Sequence, residues 1–286
     1  MIKWVKQMNE MKFTGYTLPL GKKTYIMGIV NVTPDSFSDG GSFFKPLDAL
    51  SCIEEMINDG VDIIDMGAVS TRPFSKPVTP EEEWSRLKGV FDLLPSDLGV
   101  PLSVDTFNIE TARRCLDAGA DIINDVSGVF SYETARLIKE YNAGWILMHG
   151  GVKTGNAETQ REYPQGILFS VNEFFADCRK RSAECGIPQS SLCFDAGFGF
   201  SKSNEQNIEL LNNYDKIEKG DTALLCALSR KRFIGKLSSV EESGKRDPAT
   251  LCADIIACSK GADIVRVHNV KMHRQAFSLF DNLRQF

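Results

Sequence analysis

Positive charge is in short supply in this chain. Its 33 Lys and Arg are outnumbered by 38 Asp and Glu, a formal net charge of -5 over 286 residues. Nucleic-acid binding draws on concentrated Lys and Arg, so no nucleic-acid partner is expected; a local basic pocket for a small anion is still allowed. Long apolar runs are missing as well. No stretch approaches the roughly 18 apolar residues of a membrane span. The opening Met1-Ile2-Lys3-Trp4-Val5-Lys6-Gln7 lacks the apolar core of a secretion signal. A soluble cytoplasmic protein with no membrane partner is expected, in which the sequon-like Asn31-Val32-Thr33 carries no glycan. Eight cysteines are present, yet no two of them form a C-x-x-C pair. Most lie inside apolar or helical patterns, as reduced buried thiols do.

Familiar catalytic words are absent too. Gly235-Lys236-Leu237-Ser238 lacks the upstream glycine of a P-loop, and no G-x-G-x-x-G opens a helix after a strand. No Ser/His or Cys/His arrangement suited to a nucleophile is legible. His149 and His273 stand too far apart for a local metal motif, and His273, in the last helical pattern, is expected on the surface.

What is present is a regular alternation. Apolar residues make up 42% and charged residues 25%, enough to bury a large core. Short apolar runs predict strands at 25–30, 62–66, 100–104, 121–124, 145–148, 192–194, 223–227 and 264–267. Helical spacing lies between them at 47–58, 80–94, 109–118, 132–141, 167–185, 205–211, 248–259 and 272–283. Thr79-Pro80-Glu81-Glu82-Glu83 supplies an N-cap, a first-position proline and acids in the first turn. Gly60, Gly119, Gly186 and Gly261 mark helix ends. Eight strand–helix units predict a (β/α)8 TIM barrel, one domain over 1–286, preceded by a short β-hairpin within 9–20. No internal repeat, low-complexity tract or linker marks a second domain.

Polar residues follow these apolar runs in register: Asn31, Asp65, Asp105, Asn124 with Asp125, His149, Asp195, Ser229 with Arg230 and Lys231, and Arg266 with His268. Parallel barrels gather catalytic groups at that carboxyl-terminal face. The Gly/Ser/Pro-rich loops 32–45 and 67–79 suit a mobile lid. Arg266 and His268 fall on one side of a strand by period two, and arginine binds phosphate oxygens bidentately.

The segment 27–41, MGIVNVTPDSFSDGG, closely resembles the first signature of dihydropteroate synthases, in the pterin-binding enzyme family. Ser70-Thr71-Arg72-Pro73, Val104-Asp105-Thr106, Ile123-Asn124-Asp125, Asp195-Ala196-Gly197-Phe198-Gly199-Phe200, Ser229-Arg230-Lys231 and Arg266-Val267-His268 resemble the family's further motifs in order and spacing. The resemblance runs from Ile26 to Val270. It implies condensation of 6-hydroxymethyl-7,8-dihydropterin pyrophosphate with 4-aminobenzoate, giving dihydropteroate and pyrophosphate in folate biosynthesis. It also implies a homodimer and a target of sulfonamides, which mimic 4-aminobenzoate.

By the same resemblance, Asp105, Asn124, Val126, Met148, Asp195 and Lys231 would hold the pterin. Asn31, Thr71, Arg72, Arg266 and His268 would hold pyrophosphate, with Asn31 also at a Mg2+ ion. Phe37, Thr71, Pro73, Phe200 and Ser229 would bind 4-aminobenzoate. Asn31, Arg72, Lys231, Arg266 and His268 would carry the chemistry. The chain departs from the family's pattern at Val69, Phe74, Ala196, Ala227 and Asn269. Two rivals stay open: a methyltetrahydrofolate-binding methyltransferase, which would not need the pyrophosphate set, and a non-catalytic pterin-binding homologue.

Overall fold

A computed structural model of the chain describes residues 9–33, 46–69, 78–151 and 161–283. Its first elements are a hairpin, β1 (Glu10–Phe13) and β2 (Tyr16–Pro19). Thr14 and Gly15 join them with φ of 40° and 85°, the left-handed pair that suits the twist of a two-residue hairpin loop.

Eight parallel strands follow: β3 (Tyr25–Asn31), β4 (Ile63–Gly67), β5 (Leu102–Asp105), β6 (Ile122–Asp125), β7 (Gly144–Met148), β8 (Leu192–Asp195), β9 (Ala223–Cys226) and β10 (Ile264–Val267). They pair in sequence order, and β10 closes on β3, so the sheet is a barrel without edges. The helices α1 (Pro46–Asn58), α2 (Pro80–Phe91), α3 (Ile109–Asp117), α4 (Tyr132–Tyr141), α5 (Ile167–Glu184) and α6 (Asn204–Asn212) connect successive strands up to β9. After β9 come α7 (Arg232–Ser238) and α8 (Asp247–Ser259), and α9 (Val270–Leu283) follows β10. The expected barrel and hairpin are therefore present. The expected helix over 80–94 ends at Phe91, and α7 is an addition: seven residues with Gly235 among them give no readable period.

Local chemistry explains the boundaries. Thr79 accepts from the Glu82 amide at the start of α2, satisfying a donor that the helix itself cannot pair. Gly60, Gly119, Gly186 and Gly261 have φ between 75° and 104° just past their helices, where a side chain would be strained.

The two ends of the barrel are built differently. At the amino end, Asp62, Asp121 and Asp263 each precede a strand and accept the backbone amide of the neighbouring strand, from Ile26, Leu102 and Leu224 at 2.8–2.9 Å. The hairpin closes this end. Met11, Phe13, Leu18 and Leu20 pack with the inward Met27, Ile63, Ile122, Ile146, Cys193, Leu225 and Ile264 in one cluster. A larger cluster joins the outer strand faces to the helices. All eight cysteines are free, five of them buried, as expected of reduced thiols. No described helix is long and apolar enough to cross a membrane.

Phe13 is fully buried in the plug. We expect Phe13→Ala to lower unfolding stability by about 3–5 kcal/mol, measured by urea denaturation. A loss below about 1 kcal/mol would show that the barrel floor does not rest on the hairpin.

Candidate active site

Above the apolar floor, the inward positions turn polar. Period two carries Ile63 to Asp65 on β4, Ile122 to Asn124 on β6, Cys193 to Asp195 on β8 and Ile264 to Arg266 on β10. Strand register places Asp65 opposite Ser103, Asp105 opposite Asn124, and Met148 opposite Asp195. Asp65, Asp105, Asn124 and Arg266 therefore meet at the carboxyl-terminal mouth, whereas His149 turns to α5, its Nε2 3.1 Å from Ser170 Oγ.

Arg266 is central to this cluster. Its Nε donates to Asp65 Oδ2 at 2.6 Å and an Nη donates to Asp105 Oδ2 at 2.8 Å. Asp65, fully buried, also accepts from Ser103 Oγ at 2.6 Å and Asn124 Nδ2 at 3.2 Å. This bond orients the Asn124 amide and leaves its buried Oδ1 without a hydrogen-bond partner. A buried acceptor without a donor is costly, and a ligand N–H is what this one lacks. Burial pushes the Asp105 carboxyl up to about 7, against the pull of Arg266. Burial also raises Asp195, with Lys231 opposing it.

The second half of the mouth follows β8 and β9. Asp195 accepts the Gly197 amide at 2.7 Å. Lys231 donates to the Phe198 carbonyl and lies 4.9 Å from the centre of the Phe200 ring. Burial lowers the Lys231 ammonium to about 8, partly offset by Asp195.

Ser229 Oγ sits 2.8 Å from His268 Nδ1 and accepts the His268 amide at 3.2 Å. The hydroxyl keeps a second lone pair and its own hydrogen, so it can meet Nδ1 in either tautomer of the ring. A Ser/His contact therefore exists where none was expected. It joins residues 39 apart in sequence, and it orients the imidazole.

Arg230 turns away from the mouth. It adopts φ 58° and makes a bidentate pair with Asp247 at 2.6 and 2.8 Å, while its amide donates to Thr250. Asn269, beside His268, donates to Asp247 as well, at 3.1 Å. The departure to Asn thus supplies a donor where an aspartate would meet a second carboxylate.

Of the expected site residues, Asn31, Asp105, Asn124, Val126, Met148, Asp195, Phe200, Ser229, Lys231, Arg266 and His268 all lie at or just beyond the carboxyl ends of barrel strands. Phe37, Thr71, Arg72 and Pro73 fall outside the described residues, as does most of the expected lid. Asp65 went unassigned although it shares the strand-end pattern; its role needed the partners that the barrel brings. His273 is a correction. It is buried rather than on the surface, with Nε2 3.0 Å from Asp254 and Nδ1 2.7 Å from the Asn269 carbonyl, because α9 presents that position to α8. Among the described residues, no group of three or more His, Cys, Asp or Glu is placed to hold a metal.

Comparison with known proteins agrees with this geometry. The family described as pterin binding enzyme matches residues 27–268. A dihydropteroate synthase of Streptococcus pyogenes serotype M6 is 39% identical over 260 residues, covering 90% of this chain and 95% of its own. The Xanthomonas albilineans dihydropteroate synthase solved with 4-aminobenzoic acid superposes with a TM-score of 0.89 at 33% identity, covering 98% of this chain and 99% of its own. The Clostridium difficile dihydropteroate synthase solved in the presence of pteroic acid gives 0.85 at 36% identity, covering 93% and 99%. The chain belongs to the pterin-binding enzyme family, and within it to the dihydropteroate synthases.

The raised Asp105 has a consequence for stability. Its folded-state pKa lies above the ordinary 3.8, so its contribution is fully present below that value and is lost as pH rises through about 7. Asp105→Asn, which does not ionise, should gain stability relative to the parent between pH 4 and 8. Urea midpoints at both ends of that range test this, and a constant difference would contradict it.

Proposed function

We propose that the barrel mouth joins 6-hydroxymethyl-7,8-dihydropterin pyrophosphate to 4-aminobenzoate, releasing dihydropteroate and pyrophosphate. One observation carries the reading: Arg266 is bonded to Asp65 and Asp105, and Asp65 to Asn124, at the same rim of the barrel that carries Asp195, Lys231 and His268. A pterin edge presents N–H donors to Asp105, Asn124 and Asp195, and the orphaned Asn124 Oδ1 is an acceptor waiting for one. Val126 and Met148, both buried, would line that pocket. A pyrophosphate suits Arg266, His268 and Lys231. Two of the five guanidinium donors of Arg266 serve carboxylates, and the fork retains others for an anion.

In the reaction, the bond from the pterin's exocyclic methylene to the pyrophosphate oxygen breaks, and the bonding pair leaves with pyrophosphate. The amine nitrogen of 4-aminobenzoate then bonds to the methylene and loses a proton to solvent. The ring's electron density stabilises positive charge at the methylene in between. No protein nucleophile is needed, so the Ser229–His268 contact serves to orient the imidazole beside the anion. The work of these residues is electrostatic stabilisation and orientation. Thr71 and Arg72 would add to the pyrophosphate site. Phe37, Thr71, Pro73, Phe200 and Ser229 would wall the 4-aminobenzoate pocket.

A Mg2+ ion fits in a limited way. Asn31 ends β3 at the mouth, half-buried, and its amide oxygen is a hard ligand. Mg2+ retains waters and leans on substrate phosphates, so Asn31 would be one ligand among water and pyrophosphate oxygens. When bound, the ion neutralises charge on the pyrophosphate.

A homodimer is supported by apolar surface on three consecutive helices: Leu237 of α7, Ile256 of α8, and Leu279 and Leu283 of α9 are all exposed. A cytoplasmic location is supported by eight free thiols.

Pyrophosphate release on mixing both substrates with Mg2+ tests the reading; absence of release with intact pterin binding would favour a non-catalytic pterin-binding protein. A methyltransferase would instead bind methyltetrahydrofolate and leave pyrophosphate unmade; the paired Arg266 and His268 donors speak against it. We expect Asp195→Asn to weaken binding of a pterin analogue by about 1–3 kcal/mol with its fold intact, read by calorimetry. An unchanged dissociation constant would remove Asp195 from the site. A sulfonamide should compete with 4-aminobenzoate.

A further inference from the structure

The loop after β8 encloses a buried lysine that the reaction above does not use. Lys202 is 6% exposed, and its ammonium donates to three backbone carbonyls: His149 at 3.2 Å, Gly197 at 2.9 Å and Phe200 at 3.2 Å. An ammonium has three N–H donors, so these three acceptors occupy all of them.

The acceptors are significantly placed. His149 follows Met148 at the end of β7. Gly197 supplies the amide that holds Asp195, and Phe200 is the ring beside Lys231. The backbones around them are in contact. A Cβ on Gly197 would stand 2.0 Å from the His149 carbonyl oxygen, and one on Gly151 would stand 2.0 Å from that of Val126. Loops after β6, β7 and β8 thus form one block. Asn207 reinforces it, accepting the Gly199 amide at 2.8 Å and donating to the Ser203 carbonyl at 2.7 Å.

We propose that Lys202 is a positioning residue for both substrates, fixing Met148, Asp195 and Phe200 relative to one another only while it is protonated. The proposal rests on the synthase reading. A neutral amine keeps two N–H groups for three carbonyls, so one tie must loosen when the proton leaves. The charged groups facing Lys202 are Asp195 from β8, Lys231 after β9 and Arg161 ahead of α5. Burial first lowers the Lys202 ammonium to about 7; Asp195 opposes the shift, while Lys231 and Arg161 add to it. His149, from β7, is held down to about 2 chiefly by burial and so stays neutral through that range.

Two variants and two readouts test the proposal. Lys202→Met keeps the aliphatic stem and removes the donors; Lys202→Arg keeps the charge at any working pH. Amide hydrogen exchange over residues 196–203, which needs no substrate, should speed up by about tenfold in Lys202→Met while exchange in α2 and α3 stays unchanged. Steady-state kinetics should show kcat/KM for 4-aminobenzoate lowered by about 10-fold to 100-fold in Lys202→Met. In the parent, kcat/KM should step down as pH rises through about 7. Lys202→Arg should lose the part of that step that Lys202 supplies, while the titrations of Asp105 near 7 and Lys231 near 8 stay common to both enzymes. Unchanged exchange over 196–203, or the same alkaline step in the parent and Lys202→Arg, would overturn the proposal. If Lys202→Met does not fold, the comparison of the parent with Lys202→Arg decides alone. A parent that makes no dihydropteroate would remove the synthase reading, and unchanged exchange would still remove the Lys202 assignment on its own.

Discussion

A guanidinium held between two carboxylates inside a closed barrel is the constraint on which this site depends. Arg266 reaches from β10 past β3 to Asp65 on β4 and Asp105 on β5, a reach that only barrel closure permits. Buried charges are tolerated when paired and hydrogen-bonded, and removing one partner strands the other. Ser103 and Asn124 complete the pairing around Asp65. Their bonds in turn fix which way the Asn124 amide points, and so which atom meets a ligand.

The same residue type does different work at the two ends of the barrel. Asp62, Asp121 and Asp263 serve the amino rim, where strand amides would otherwise lack acceptors. That is stability. Asp105 and Asp195 stand at the opposite rim with pKa values raised by burial. The separation follows barrel-enzyme logic, with chemistry at the carboxyl face and stability below. Departures from the family's pattern fit this frame. Ala227 joins the apolar cluster of the barrel floor, and Asn269 donates to Asp247, which holds Arg230 and so the chain between Ser229 and Lys231. Nothing in the structure explains Val69.

By itself the sequence determined the architecture and which polar residues stand at the strand ends. Eight apolar runs, eight helical patterns and their capping residues are local signals, and each closed a unit within a residue or a few of where it falls in the structure. The polar residues after those runs were legible for the same reason, since period two and strand ends are properties of short segments. Tertiary structure decided who meets whom. Arg266 contacts Asp65 and Asp105 across 201 and 161 residues, His268 meets Ser229, and His273 is buried against Asp254 rather than exposed. Lys202 had no sequence signal at all, because its partners are backbone carbonyls, which every residue carries. Side-chain identity specifies what a group can do; only the closed barrel, by bringing distant strand ends within hydrogen-bond reach, specifies what it does it to.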